Sequence, residues 1–145
     1  MNKIDPEKDG IDHINIYSKG KTELGRFLTN FAHTPFETSE DGKFASIEGY
    51  WYWLSVRDEK LRDLSGFSAK KYGQEAEGLD WLESEEFKTK IKNAIIRKIE
   101  LYNRTEDVVY SNLPFDHYYN FGGKIVKPKE GQWIIDFFNG LRFQE

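Results

Sequence analysis

The stretch Ser84–Tyr102 leaves this chain little freedom. Phe87, Ile91, Ala94, Ile95 and Ile99 recur at three- and four-residue intervals, so they form one apolar stripe along a helix. Acids precede and open it and basic residues follow, the order the helix dipole favours. A stripe this regular has to be covered. The material at hand is aromatic: 4 Trp, 8 Tyr and 11 Phe stand in 145 residues of which only 38% are hydrophobic. The expected core is therefore built from large rings rather than aliphatic bulk, in a chain long enough to bury one without staples.

The remaining signals are shorter. Residues Met1–Gly10 read as a loose arm, and the alternation around Ile14 and Ile16 predicts a short strand over Ile11–Tyr17. Glu23–Phe36 is turn-rich, and Asp41-Gly42 marks the tip of a polar loop or hairpin. Ile47, Tyr50, Trp51, Leu54, Leu61 and Leu64 predict a helix capped by Ser46 and stopped by Gly66, with a single helical turn over Ser68–Tyr72. Phe115–Phe121 and Lys124–Lys127 flank Gly122-Gly123 as two short strands around a turn, and Gln132–Leu141 closes the chain as a helix. The expected fold is one mainly α domain, residues 1–145, with a few short β-strands.

Composition narrows the function. The chain has no cysteine, which removes disulfides and thiolate metal sites and fits a reducing cytoplasm. No run approaches the roughly 18 apolar residues of a membrane span, and the N-terminal residues are polar rather than leader-like. A net charge of −4 argues against strong sequence-independent binding to duplex nucleic acid, while leaving room for a local pocket that holds one or two phosphates. His13, His33 and His117 lack metal-ligand spacing, and no phosphate loop or dinucleotide fingerprint is present. Neither a metal nor a cofactor is expected.

Against this background one acid stands out. Glu48 opens an aromatic run, Tyr50-Trp51-Tyr52-Trp53, that folding alone would furnish without a carboxylate. Its bland role is to complement a helix N-terminus; its chemical one is a carboxylate in a ring-lined site for a flat ligand. Tyr52 and Ser55 fall on the same helical face as Glu48, a polar stripe that either lines a pocket or meets water. Asn30, in Leu28-Thr29-Asn30-Phe31, either braces its own turn or holds a ligand. Phe31 reads first as a core ring and otherwise as a stacking platform, and Trp81, just before the long helix, as a hydrophobic staple or a base-stacking ring. His117, within Asp116-His117-Tyr118-Tyr119, is an ordinary half-buried histidine or a proton carrier.

Taken in order, these pieces resemble the NADAR family, the YbiA-like N-glycosidase and ADP-ribose-linked proteins. Phe27-Leu28-Thr29-Asn30-Phe31 is similar to the family's Leu-Ser-Asn-Phe. Pro35-Phe36 and Gly42-Lys43-Phe44-Ala45-Ser46-Ile47-Glu48 look like its glycine–aromatic–serine–glutamate segment. Gly73, Asp80-Trp81 and the Ile91–Ile99 helix with Lys98 follow in the family's order, and Arg142 matches a closing arginine. The likeness covers about residues 14 to 143. The C-terminal third departs from the family's Trp-Gly and glycine–asparagine loop, as in a divergent branch of phage type.

The resemblance implies a YbiA-like fold and hydrolysis of an N-glycosidic bond. The implied substrate is a small nucleotide such as a ribosylamino-pyrimidine phosphate, or ADP-ribose attached to guanine in nucleic acid. Glu48, Asp116 and His117 are the implied catalytic residues; Arg26, Asn30, Phe31, Trp81, Tyr118 and Tyr119 are the implied substrate contacts. A cytoplasmic location, in the host if the chain is phage-encoded, accompanies this reading. The competing expectation is a non-catalytic module that binds ADP-ribose or a related nucleotide, as a sensor or inhibitor in phage–host conflict. A third is a partner-binding protein whose aromatics are all core.

Overall fold

The computed structural model describes residues 4–76 and 84–142. In chain order the elements are β1 (Ile14–Asn15), α1 (Glu23–Leu28), β2 (Phe36–Thr38), β3 (Gly42–Phe44), α2 (Ile47–Val56), α3 (Gly66–Glu75), α4 (Glu85–Leu101), α5 (Thr105–Val109), β4 (Phe115–Asp116), β5 (Tyr119–Phe121), β6 (Lys124–Val126) and α6 (Gln132–Leu141). Short 3₁₀ turns cover Pro6–Lys8 and Glu59–Asp63. The chain is mainly helical with small strands, and none of its described helices is long and apolar enough to cross a membrane. It gathers into two compact units, Asn30–Arg104 and the pairing of Met1–Thr29 with Thr105–Glu145.

The Asn30–Arg104 unit is organised around α4, as the apolar stripe requires. Ser84 caps that helix by accepting from the Phe87 N–H, and Phe87, Ile91, Ala94, Ile95 and Ile99 are all buried. The Phe87 ring meets Trp51 of α2 edge to face, with centroids 4.8 Å apart. Beneath lies a second ring cluster: Phe44 sits 4.5 Å from Tyr50 and 5.3 Å from Trp53, and Phe36 stacks on Phe44 at 6.1 Å. β2 and β3 form the hairpin that the Asp41-Gly42 signal predicts, in the register Phe36↔Phe44 and Thr38↔Gly42.

Helix α2 is shorter than its periodicity predicts. It ends at Val56 because Arg57 turns left-handed at φ 60°, its N–H closing on the Trp53 carbonyl while its guanidinium lies 4.4 Å over the Trp53 ring. Leu61 is still buried, carried there by the 3₁₀ turn that Asp58 caps. Gly66 does not stop a helix. At φ 56° it begins α3, which runs ten residues to Glu75 instead of one turn. Close approach of α3 to α2 is possible only because Gly73 lacks a side chain: a Cβ there would collide with Cγ of Tyr52.

In the other unit, β1 is only Ile14–Asn15 and pairs in parallel with β4, in the register Ile14↔Phe115. Asn139 of α6 brackets β4, accepting from the Phe115 N–H at 2.8 Å and donating to its carbonyl at 2.9 Å. Ile134, Ile135 and Phe138 of α6 are buried, with the Phe138 and Phe115 rings 5.9 Å apart. β5 and β6 make the hairpin predicted around Gly122-Gly123, both glycines at positive φ. The N-terminal segment is not a loose arm from residue 4 onward. Asp9 is 6% exposed and its carboxylate accepts the N–H groups of Asn15 and Lys21, so the segment is pinned by one buried acid.

Candidate functional site

The serine that starts α2 also places Glu48. Ser46 is fully buried; its hydroxyl accepts from the Gly49 N–H and donates to the Leu64 carbonyl. Glu48 falls in the first turn, and its own N–H donates to the Asn30 carbonyl at 2.9 Å. That bond ties the Leu-Thr-Asn-Phe turn to the helix N-terminus. Glu48 is part-buried, neither sealed in the core nor turned to open water. Burial pushes its pKa up to about 7, against the opposing pull of the Lys70 ammonium. A helix N-terminus ordinarily favours a charged carboxylate, so desolvation is the larger effect here.

The charge that reaches this carboxyl comes from Lys70 of α3. The Lys70 ammonium lies 6.0 Å from the centroid of the Phe31 ring. Phe31 is met edge-on by Phe67 at 5.1 Å and 74°, and Phe67 is 70% exposed. Tyr52, one turn after Glu48, is buried against α3 and bonded to Gln74; burial first, then the Glu48 charge, pushes its hydroxyl up to about 12. Three of the four rings that follow Glu48 in sequence turn away into the core: Tyr50 and Trp53 onto Phe44, Trp51 onto Phe87. Phe31 and Phe67 pair with each other on other segments of the same unit.

The other sequence-based candidates are placed as follows. Asn30, Phe31 and Glu48 belong to one unit and come together in it. Arg26, Asp116, His117, Tyr118 and Tyr119 belong to the other unit. Within it, Arg26 donates to the Gly20 carbonyl at 2.8 Å from an exposed position. Asp116 accepts from the His117 N–H and pairs with Lys127 at 3.2 Å, while His117 Nδ1 lies 2.7 Å from the Ile16 carbonyl oxygen. Tyr118 is 3% exposed, and its hydroxyl is 2.6 Å from Nε2 of His13, whose Nδ1 is 2.6 Å from Asp12. Tyr119 opens β5 and is half-buried. Trp81 and Asp80 lie outside the described residues.

Sequence reasoning passes over Lys70 and Phe67. The signal is available in the i, i+3 spacing that puts both on one face of α3, but only a full-length α3 brings that face into play. Lys98, singled out with the α4 stripe, is buried, and burial takes its ammonium down to about 7. No family model, no curated protein and no solved structure matches this chain.

Proposed function

We propose that this chain hydrolyses an N-glycosidic bond between a ribose and a base, with Glu48 at the sugar. The observation that supports the reading is a part-buried glutamate whose carboxyl has a pKa near 7 and feels the charge of the Lys70 ammonium. A group poised at that pKa is matched to proton transfer near neutral pH. Cleaving a ribose C–N bond develops positive charge on the sugar and negative charge on the departing base. Ionised Glu48 stabilises the first and orients and deprotonates the attacking water, as one carboxylate does in glycoside hydrolysis.

The leaving nitrogen has to gain a proton. Lys70 is the cation whose charge already reaches Glu48 within the same unit, and it serves as donor or as electrostatic sink for the departing base. The Asn30 carbonyl is bonded to the Glu48 N–H, and in this reading the Asn30 side chain takes the ribose hydroxyls through paired donor and acceptor atoms. The substrate class implied by the resemblance is a ribosylamino-pyrimidine phosphate or ADP-ribose on guanine, free or within nucleic acid.

Incubating the protein with each substrate and reading products by mass spectrometry tests this. Release of free base or of ADP-ribose by the wild type, and its loss in Glu48→Gln, is the expected result. Tight binding of ADP-ribose with no bond cleavage on any substrate would instead leave a nucleotide-binding module.

A further inference from the structure

The β2–β3 hairpin, the 3₁₀ turn Glu59–Asp63 and the last turns of α4 border a cavity of about 490 Å³ within the Asn30–Arg104 unit. That is the size of a small-molecule site. None of Asn30, Glu48 or Lys70 lines it. Its floor is apolar, made by the buried Phe36, Phe44 and Ala45, with Leu101 of α4 at one side. The Tyr102 hydroxyl donates to the Pro35 carbonyl at 2.9 Å, fastening the segment that leads into β2 to the end of α4.

Three cations line this cavity: Arg62, Lys43 and Arg97. The Arg62 guanidinium is fixed, 4.5 Å over the Phe44 ring and 4.7 Å over Trp53. Its Nε donates to Glu59 at 2.9 Å, and its Nη1 to the carbonyls of Asp41 and Lys43 at 2.5 and 3.1 Å. Its Nη2 has no partner among the described residues. The Arg97 and Lys43 side chains are exposed and likewise have no hydrogen bond or ion pair among those residues. Two acids also line the cavity, Asp63 and Glu37, the latter opposite Lys43 in the hairpin register. Three cations against two acids, with His33 counted neutral, leave a surplus of one positive charge.

We propose that this cavity binds a small monocarboxylate with an apolar body. Arg97 and Nη2 of Arg62 take the carboxylate, for which a planar guanidinium is the matched donor. The apolar body covers the floor beside Leu101 and removes it from water. Because Arg62 is already immobilised by two rings and three hydrogen bonds, little of its freedom is lost on binding. One surplus positive charge matches one carboxylate. A phosphate monoester carries about two negative charges and would leave the excess facing Glu37 and Asp63.

The test is NMR titration of the full chain, wild type and Arg97→Gln, with benzoate, acetate, benzylammonium and phenyl phosphate. Benzoate should shift the amide signals of Phe44, Ala45 and Arg97, and bind about tenfold or more tightly than acetate, which lacks the ring. Benzylammonium should bind about tenfold or more weakly than benzoate, and phenyl phosphate no more tightly. Arg97→Gln should lose about tenfold in benzoate affinity, the loss of one charged hydrogen-bond partner. Arg97 is exposed, so this variant should melt near wild type, whereas a change at Arg62 would also unstack two rings. No benzoate binding, shifts confined to other segments, or equal binding of benzylammonium or acetate overturns the proposal. So does tighter binding of phenyl phosphate, or an Arg97→Gln titration like wild type.

Discussion

The Asn30 carbonyl accepts the Glu48 N–H at 2.9 Å, joining two motifs that sequence alone sets far apart. An orphan donor at the start of a helix is thereby satisfied by the turn that carries Phe31. Burial raises the pKa of the Glu48 side chain to about 7. The acid is costly in its ionised form, and the expected consequences are measurable.

Glu48→Gln should abolish most turnover, lowering kcat by about a hundredfold or more with little change in KM. In the wild type, activity should rise with pH through about 7 as Glu48 loses its proton. A pH–rate profile whose ascending limb sits near 4.5 would rule out this assignment.

The same group has a stability signature of defined sign. Its folded pKa, about 7, lies above its ordinary 4.5, so between those values the native state holds a proton the unfolded state has lost. Its stabilising contribution is full below the ordinary value and disappears as pH rises to the folded one. A tenfold difference in proton affinity between the two states corresponds to about 1.4 kcal/mol, which solvent screening reduces for a part-exposed group. Glu48→Gln should therefore melt higher than wild type at about pH 8 and close to it at about pH 5, measured by circular dichroism.

Lys70→Met removes the charge that opposes desolvation of Glu48, so the Glu48 pKa should climb further above 7. Side-chain carboxyl NMR titration reads this directly, without need of a substrate. A downward or absent shift would show that Lys70 does not act on this carboxyl.

Asp41 should set the acid limit of the Asn30–Arg104 unit. Burial pushes its pKa up, but the Tyr50 hydroxyl at 2.6 Å and Lys90 at 3.1 Å outweigh that and leave it below the usual range. A depressed carboxylate stabilises above its unfolded pKa, here 3.8, and loses that contribution as pH falls through the folded value. Asp41→Asn should cost about 1–2 kcal/mol in urea unfolding at about pH 7, and the difference should vanish once both states are protonated in strong acid.

Gly73→Ala drives a methyl into Cγ of Tyr52, so α3 must retreat from α2. The expected loss is about 1–3 kcal/mol, with turnover lowered because α3 carries Lys70. Unchanged denaturant midpoint would contradict the packing described.

Legibility follows the length of the pattern. The α4 stripe, the Gln132–Leu141 helix and both hairpins are readable because periodicity and glycine turns act locally. Periodicity overextends the Ile47–Leu64 helix because Arg57-Asp58 contains no glycine or proline, and a left-handed arginine stacked on Trp53 leaves no compositional mark. Gly66 reads as a stop since glycine more often ends helices than starts them. The first ten residues look loose because the value of Asp9 lies in N–H groups of Asn15 and Lys21 that only folding presents to it.

The site divides in the same way. That Glu48 opens a helix behind a serine cap, with Asn30 and Phe31 in a preceding turn, follows from sequence, because caps and turns are decided by near neighbours. Where the rings that follow that acid go was decided only by tertiary packing. Apolar stripes pulled Tyr50, Trp51 and Trp53 into the core, and a glycine contact with Tyr52 drew α3 close enough for the Lys70 charge to reach the carboxyl. A carboxyl's desolvation depends on everything around it in space, and adjacency along the chain does not encode that.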